Sequence, residues 1–209
     1  MTALLLKRCA KCAIASALAV SALGCAGAKV AVPTAFPVPQ VMKVSLPVGL
    51  YLDEALLSYV HQESLEGQGD WEIELGSAQR PMFDNLLSGL FIGHRPVERL
   101  GASHDDIAGV LAPAIEELQF STPEQTRSEY YEVWIRYRFE LHANDGEELG
   151  QWNLTAYGKA HQQNHAGASA ALQSAALVAC RDAMAFFTQQ FRKEPVVQSW
   201  LGRELGGSA

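Results

Sequence analysis

The chain has 209 residues, and its 16 Lys and Arg against 23 Asp and Glu give a formal net charge of −7. Because a phosphate backbone is bound by clustered basic side chains, this balance argues against a nucleic-acid partner. It is equally unfavourable for direct binding of anionic lipid headgroups. The length allows one domain of ordinary size, or at most two small ones.

The first 24 residues are typical of a secretory signal peptide. Lys7, Arg8 and Lys11 make a positively charged start, and the apolar run Cys12–Leu23 is shorter than the ~20 residues of a membrane span. We therefore expect residues 1–24 to be cleaved. Their loss takes the net charge from −7 to −10, because they carry three basic residues and no acidic one.

Residues 21–25 read Ser-Ala-Leu-Gly-Cys at the expected cleavage point. Small residues before a cysteine resemble the lipobox of bacterial lipoproteins. That resemblance implies a diacylglyceryl group on the thiol of Cys25, which would supply the contact with the membrane. Ala26, rather than Asp, follows the cysteine, which resembles the outer-membrane sorting pattern of Gram-negative lipoproteins. The alternative is an ordinary signal peptide with an incidental cysteine.

The other cysteines do not build a disulfide framework. Cys9 and Cys12 fall in the leader, where their C-x-x-C spacing has no folded turn to serve as a metal or redox site. Cys180 then stands alone in a helical apolar run, and we expect it in the core.

Residues 25–40 are predicted to be the lipidated cysteine and a proline-rich tether. Pro33, Pro37 and Pro39 break regular structure and stiffen the chain. Fully extended, residues 26–40 would reach about 50 Å. Such a tether would hold the following domain away from a membrane surface.

One domain is predicted over residues 41–205, followed by a disordered tail over 206–209. Apolar periodicity and turn residues predict elements in this order: a strand over 41–52, a short helix over 53–61, a strand over 71–75, a helix from Gly76 to Gly93 with Pro81 in its first turn, and a short strand over 95–100. Residues 105–120 favour strand, with a helix starting at Pro113 as the alternative. A helix over 169–193 and a short turn over 196–201 complete the set.

The clearest element is a hairpin whose first strand covers residues 131–141. Asn144-Asp145-Gly146 provides its turn. One face of this strand is apolar, and the other carries Trp134, Arg136 and Arg138 among glutamates. Two helices over such a sheet predict an α+β fold, a two-layer sandwich with a mainly antiparallel sheet and both principal helices on one face.

Catalytic motifs are weak throughout. His161 and His165 are spaced i, i+4, but a zinc site needs three or four ligands. Ser103-His104-Asp105 has the residue types of a triad, yet adjacent side chains cannot align as one. The pairs Asp105/Asp106 and Glu116/Glu117 are more simply surface carboxylates. We predict no catalytic residue, no metal site and no cofactor.

The overall layout resembles a group of periplasmic lipoproteins. It includes the lipopolysaccharide-assembly lipoprotein, the lipoprotein activators of penicillin-binding proteins and auxiliary lipoproteins of envelope lipid transporters. Four features carry the likeness: Cys25, the strand–Gly76–helix unit around Phe83 to Phe91, the hairpin Tyr131 to Gly158, and the Ala-rich helix that follows.

The resemblance implies a non-enzymatic protein, lipid-anchored in the outer membrane and facing the periplasm. It would dock a periplasmic or outer-membrane protein through a sheet edge or through Trp134, Arg136 and Arg138. Two alternatives stay open. One is a lipid or glycan carrier with a cavity between sheet and helix, lined by Val133, Ile135, Tyr137, Leu172 and Phe187. The other is a metal-dependent hydrolase, in which the two histidines would need a third ligand.

Overall fold

A computed structural model describes residues 27–206 of the chain. Its strands are β1 (Lys29–Ala31), β2 (Val44–Tyr51), β3 (Val60–Leu65), β4 (Gly69–Glu74), β5 (Phe91–Val97), β6 (Gly109–Ser121), β7 (Tyr130–Ala143) and β8 (Glu148–His161). Its α-helices are α1 (Glu54–Leu57), α2 (Gly76–Leu90), α3 (Pro123–Thr126), α4 (Ala168–Gln190) and α5 (Pro195–Gly206). Short 3-10 turns cover Gln162–Asn164 and Phe191–Lys193.

Five strands form the main sheet in the order β5-β2-β6-β7-β8. The pairs β5-β2 and β2-β6 are parallel, whereas the longer pairs β6-β7 and β7-β8 are antiparallel. A smaller sheet has the order β1-β4-β3. The helices α2 and α4 pack on one side of the main sheet and share its core. The predicted α+β class, with the principal helices on one face, is confirmed.

The hairpin of β7 and β8 has the predicted alternation. The residues of β7 that face the helices are buried, and their neighbours on the other face are half-buried or exposed. Gly146 in the turn has a φ of 91°, a left-handed conformation that glycine adopts without a steric penalty. The hairpin therefore divides the main sheet into a core side and an outer side.

Helix α4 lies directly on β8. A Cβ atom on Gly158 would come within 2.1 Å of the Ala175 carbonyl oxygen, so the two backbones meet where neither side chain is large. Further along, the rings of Phe139 and Phe187 have centroids 4.8 Å apart. The stretch Ala168–Lys193 is long and apolar enough to span a membrane, but half of its most apolar window is buried in the protein, as a core helix is.

The carrier alternative required a cavity between this helix and the sheet. The five side chains expected to line it are at most 1 % exposed and pack together in one hydrophobic core: Val133, Ile135, Tyr137, Leu172 and Phe187. Close packing fills this region, so the carrier alternative lacks the space it needs.

Several local expectations need correction. Residues 109–121 are strand β6, so the helix alternative at Pro113 is wrong. The helix expected over 53–61 ends at Leu57, and β3 follows, which escaped detection because Leu65 is its only buried residue. Pro81 lies inside α2 rather than in its first turn. The short turn expected over 196–201 is the 12-residue helix α5.

The proline-rich tether is also corrected from residue 27 onward. Residues 27–43, here called the strap, pack against the domain: β1 pairs with β4 in parallel, and Val32 and Phe36 are buried at 3 % and 8 % exposure. Apolar side chains between the prolines anchor the strap, because burying them is favourable wherever a groove between helices can receive them.

Four side chains from α2, α4 and the 3-10 turn after α4 donate hydrogen bonds to strap carbonyls. These bonds are Gln173 to Ala31 (2.8 Å), Arg181 to Ala35 (3.3 Å), Asn85 to Phe36 (2.8 Å) and Arg192 to Met42 (2.7 Å). Because the strap forms no ladder after Val32, its later carbonyls accept hydrogen bonds from these side chains instead. The strap therefore runs along α4 in the same direction as the helix.

Candidate functional site

The candidate site is the outer face of the main sheet, which is the side opposite α2 and α4. Strand register brings three of its residues into one row: Gln119 of β6, Trp134 of β7 and Tyr157 of β8. The next row contains Glu117, Arg136 and Thr155. Side chains directly opposite one another on neighbouring strands are close enough to interact.

Both predicted arginines of this face are already paired. Arg136 donates to Glu116 (Nε–Oε2, 3.2 Å) and to Glu117 (Nη2–Oε2, 2.6 Å). Arg138 lies 3.2 Å from Glu140 and 3.8 Å from Glu116. The carboxylates of β6 thus hold the guanidinium groups in place and offset their charge. Glu116 and Glu117 are therefore ion-pair partners of the arginines rather than a general acid–base pair.

Trp134 and Tyr157 form an aromatic pair on the same face. Their ring centroids are 5.2 Å apart with an interplanar angle of 37°. The Tyr157 hydroxyl donates to Glu132, which also accepts from Ser121 at 3.2 Å. Partial burial and this bond to Glu132 raise the pKa of Tyr157 to about 12. The phenol is therefore neutral and fixed in orientation at physiological pH.

A shallow cavity of about 250 Å³ opens between these rows. It is lined by Glu117, Gln119, Trp134, Arg136 and Thr155. Of the three residues predicted from the sequence, Trp134 and Arg136 line this cavity, and Arg138 lies beside it. The lining residues from β6 were missed, because only the pairing of β6 with β7 brings Glu117 opposite Arg136.

The remaining sequence candidates do not assemble into catalytic groups. His104 contacts Arg95 (Nδ1–Nη2, 3.3 Å), and Arg95 in turn forms two 2.6 Å bonds with Asp106. That ion pair lowers the pKa of the Asp106 carboxyl. The loop is thus organised around Arg95 and not as a triad.

Both ring nitrogens of His161 already have partners. Its Nε2 lies 3.0 Å from Glu129, and its Nδ1 accepts from the backbone N–H of Gln163 at 3.2 Å. Within residues 27–206 there is no group of three or more His, Cys, Asp or Glu placed to hold a metal ion. Cys180 is buried in the core, and burial raises the pKa of its thiol to about 12. Cys25 lies outside the described residues.

Comparison with known proteins gives structural likenesses alone. No family model and no curated protein matches the chain. A protein of family DUF330 from Xanthomonas campestris has 11 % identity and a TM-score of 0.49, covering 88 % of this chain and 98 % of its own. A candidate lipoprotein from Caulobacter crescentus has 16 % identity and a TM-score of 0.39, covering 60 % and 82 %.

A third solved structure is a candidate homologue of a neuraminyllactose-binding hemagglutinin from Helicobacter pylori. It has 12 % identity and a TM-score of 0.42, covering 86 % of this chain and 100 % of its own. All three likenesses have TM-scores below 0.5, so they assign no function to this chain.

Proposed function

We propose that this protein is a non-enzymatic, lipid-anchored component of the bacterial outer membrane. Its domain faces the periplasm and docks a protein of an envelope assembly or transport complex. The docking surface is the outer face of the main sheet, centred on Trp134, Arg136 and Arg138. The observation that carries this proposal is that both principal helices cover the opposite side, leaving this row of aromatic and arginine side chains accessible.

The chemistry of the face suits recognition of a protein. Tryptophan, tyrosine and arginine dominate the binding energy of protein interfaces, because they bury a large area and still form directional bonds. Here Glu116 and Glu117 hold Arg136, and Glu132 holds Tyr157. A prearranged surface loses less side-chain entropy on binding, which favours affinity.

Anchoring is proposed through Cys25. Only two peptide steps separate Cys25 from Gly27, the first residue that the structure describes, and they span at most about 7 Å. A lipid on this cysteine would hold the domain close to the membrane surface rather than at the end of a long spacer. The absence of catalysis is part of the proposal. It is supported by the ion pairs and hydrogen bonds that Glu116, Glu117, Asp106 and His161 already form.

The test is cross-linking of the full-length protein in cells, followed by purification and mass spectrometry. Trp134→Ala should remove a stoichiometric envelope partner, whereas Arg203→Glu, an exposed change on α5, should retain it. Cys25→Ser should release the protein from the membrane fraction. Recovery of the same partner with Trp134→Ala, in a folded protein, would place the docking surface elsewhere.

A further inference from the structure

We propose that the edge of β8 accepts an extended segment of the docking partner as a sixth strand of the main sheet. This inference rests on the proposed function and names how the partner binds beside the outer face. The segment is basic, with apolar residues at alternate positions.

The backbone of β8 presents hydrogen-bonding groups away from β7. The N–H of Tyr157 points outward, because it donates to Asp182 of α4 at 2.9 Å instead of to β7. In an antiparallel strand the outward direction recurs at every second residue. The amides of Gln151, Asn153 and Thr155 therefore point outward too. Within residues 27–206, Asp182 supplies the one hydrogen bond to this row of amides.

This edge also lacks the features that normally prevent strand addition. Exposed edges are usually blunted by charged residues, by proline or by bulges. The opposite edge strand, β5, carries Arg95 and Pro96. By contrast, residues 151–157 of β8 contain no charge and no proline, and their pairing with β7 is regular. An unprotected stretch of this length indicates an edge that binds a strand from another protein.

One side of α4 runs beside the open edge. Val178, Asp182 and Phe186 are spaced four residues apart, so they share one face of the helix. Val178 and Phe186 are 39 % and 45 % exposed, although both are apolar. A strand added to β8 would place alternate side chains against this helix face, and the others beside Thr155 and Tyr157 on the outer face. The occupant therefore alternates between apolar and polar residues.

Charge favours a different protein over a second copy of this chain. Two copies, each with a net charge of −10 after loss of residues 1–24, repel one another. Asp182 adds a carboxylate directly at the edge, where its Oδ2 accepts the Tyr157 N–H. A lysine or arginine on the helix side of the incoming segment would meet that carboxylate. The observations thus favour a basic segment from a partner protein.

The test begins with a photoreactive benzoylphenylalanine in place of Gln151 in the full-length protein in cells. Mass spectrometry maps the cross-linked partner peptide, which is then synthesised and added to the full-length protein purified in detergent. We expect amide hydrogen exchange at Asn153 and Thr155 to slow by roughly tenfold or more on binding, since these amides become bonded. Exchange at Leu154, already bonded to β7, provides the internal control.

Thr155→Pro removes an outward N–H without breaking a bond to β7, so the fold should survive, whereas Thr155→Val retains the amide. Both variants lose the Thr155 hydroxyl from the cavity lining, and only Thr155→Pro loses the amide. We therefore expect Thr155→Pro to weaken binding of the peptide roughly tenfold more than Thr155→Val does. If Thr155→Pro fails to fold, the exchange measurement on the unmodified protein decides.

The outcomes separate this inference from the proposed function. Loss of the complex with both Trp134→Ala and Thr155→Pro, together with slowed exchange at Asn153, supports strand addition. Loss with Trp134→Ala alone, with unchanged exchange at the edge, overturns strand addition and leaves the docking face standing. Cross-linking to β8 of a second copy of this chain also overturns strand addition by a partner. Unaltered binding in both variants overturns strand addition and the docking face together.

Discussion

Asp182 in the middle of α4 accepts a hydrogen bond from the backbone N–H of Tyr157, at 2.9 Å. This bond joins a core helix to the edge of the main sheet. It occupies one of the outward-facing amides of β8. Asp182 therefore stabilises the packing of α4 on β8.

Replacing Asp182 tests this relationship. Asp182→Ala should speed amide exchange at Tyr157 and lower the free energy of unfolding by about 1.5 kcal/mol, the low end for a bond to a charged group because the site is partly exposed. Asp182→Asn retains an acceptor oxygen and should stay close to the parent protein. Equal exchange rates at Tyr157 in all three proteins would show that the bond does not protect this amide.

The contact between Gly158 and α4 predicts a large effect from a single methyl group. Gly158→Ala would place its Cβ 2.1 Å from the Ala175 carbonyl oxygen, which forces α4 away from β8. We expect a loss of about 3 kcal/mol in chemical denaturation. Gly202→Ala is the matched control, because its Cβ would meet nothing within 4 Å and helix α5 should gain up to about 1 kcal/mol.

The strap is predicted to contribute to the stability of the domain. Phe36→Ala should lower the free energy of unfolding by about 3 kcal/mol, since the ring is buried in the core. Val38→Ala, in the same strap but 41 % exposed, should change it by less than about 0.5 kcal/mol. Similar melting temperatures for the two variants would mean that the strap behaves as a free tether.

Alkaline pH should destabilise the protein through Tyr157. Burial and the bond to Glu132 raise the pKa of its phenol from 10.0 to about 12. Between these values the folded protein keeps a proton that the unfolded chain releases, so the contribution to stability is complete below pH 10 and disappears as the pH approaches 12. Cys180 and Tyr137, whose pKa values burial also raises, act in the same direction.

Glu132→Gln isolates the carboxylate contribution to that shift. It removes the negative charge beside Tyr157 and keeps a hydrogen-bond acceptor, so the pKa of the phenol should fall. Titration of tyrosinate absorbance measures the change, and Glu129→Gln, which alters a carboxylate paired with His161 instead, serves as the control. An unchanged titration curve in Glu132→Gln would assign the whole shift to burial.

Much of the fold was predictable because it follows from local periodicity. Apolar alternation over residues 131–141 and the Asn144-Asp145-Gly146 turn define the hairpin, and the polar residues of that strand identify the outer face. The partners of Arg136 were not predictable in this way. They come from β6, and only the long-range pairing of β6 with β7 brings Glu116 and Glu117 to them.

The strap shows a second limit of local patterns. Three prolines in fifteen residues indicate an extended chain, and the chain is extended. Whether it stands free or packs depends on a groove that forms only after α2 and α4 have come together. Phe36 is buried in the core, and Asn85, Arg181 and Arg192 supply donors to the strap from positions far away in the sequence.

The sequence by itself determined the secondary elements with strong periodicity and the polar and apolar faces of the hairpin, whereas lipidation of Cys25 stays a prediction. These depend on residues close together in the chain, where spacing translates directly into a face or a motif. Tertiary structure alone decided the docking of the strap, the ion pairs of the outer face and the open edge of β8. Each of these depends on contacts between elements far apart in the sequence, which no local pattern encodes.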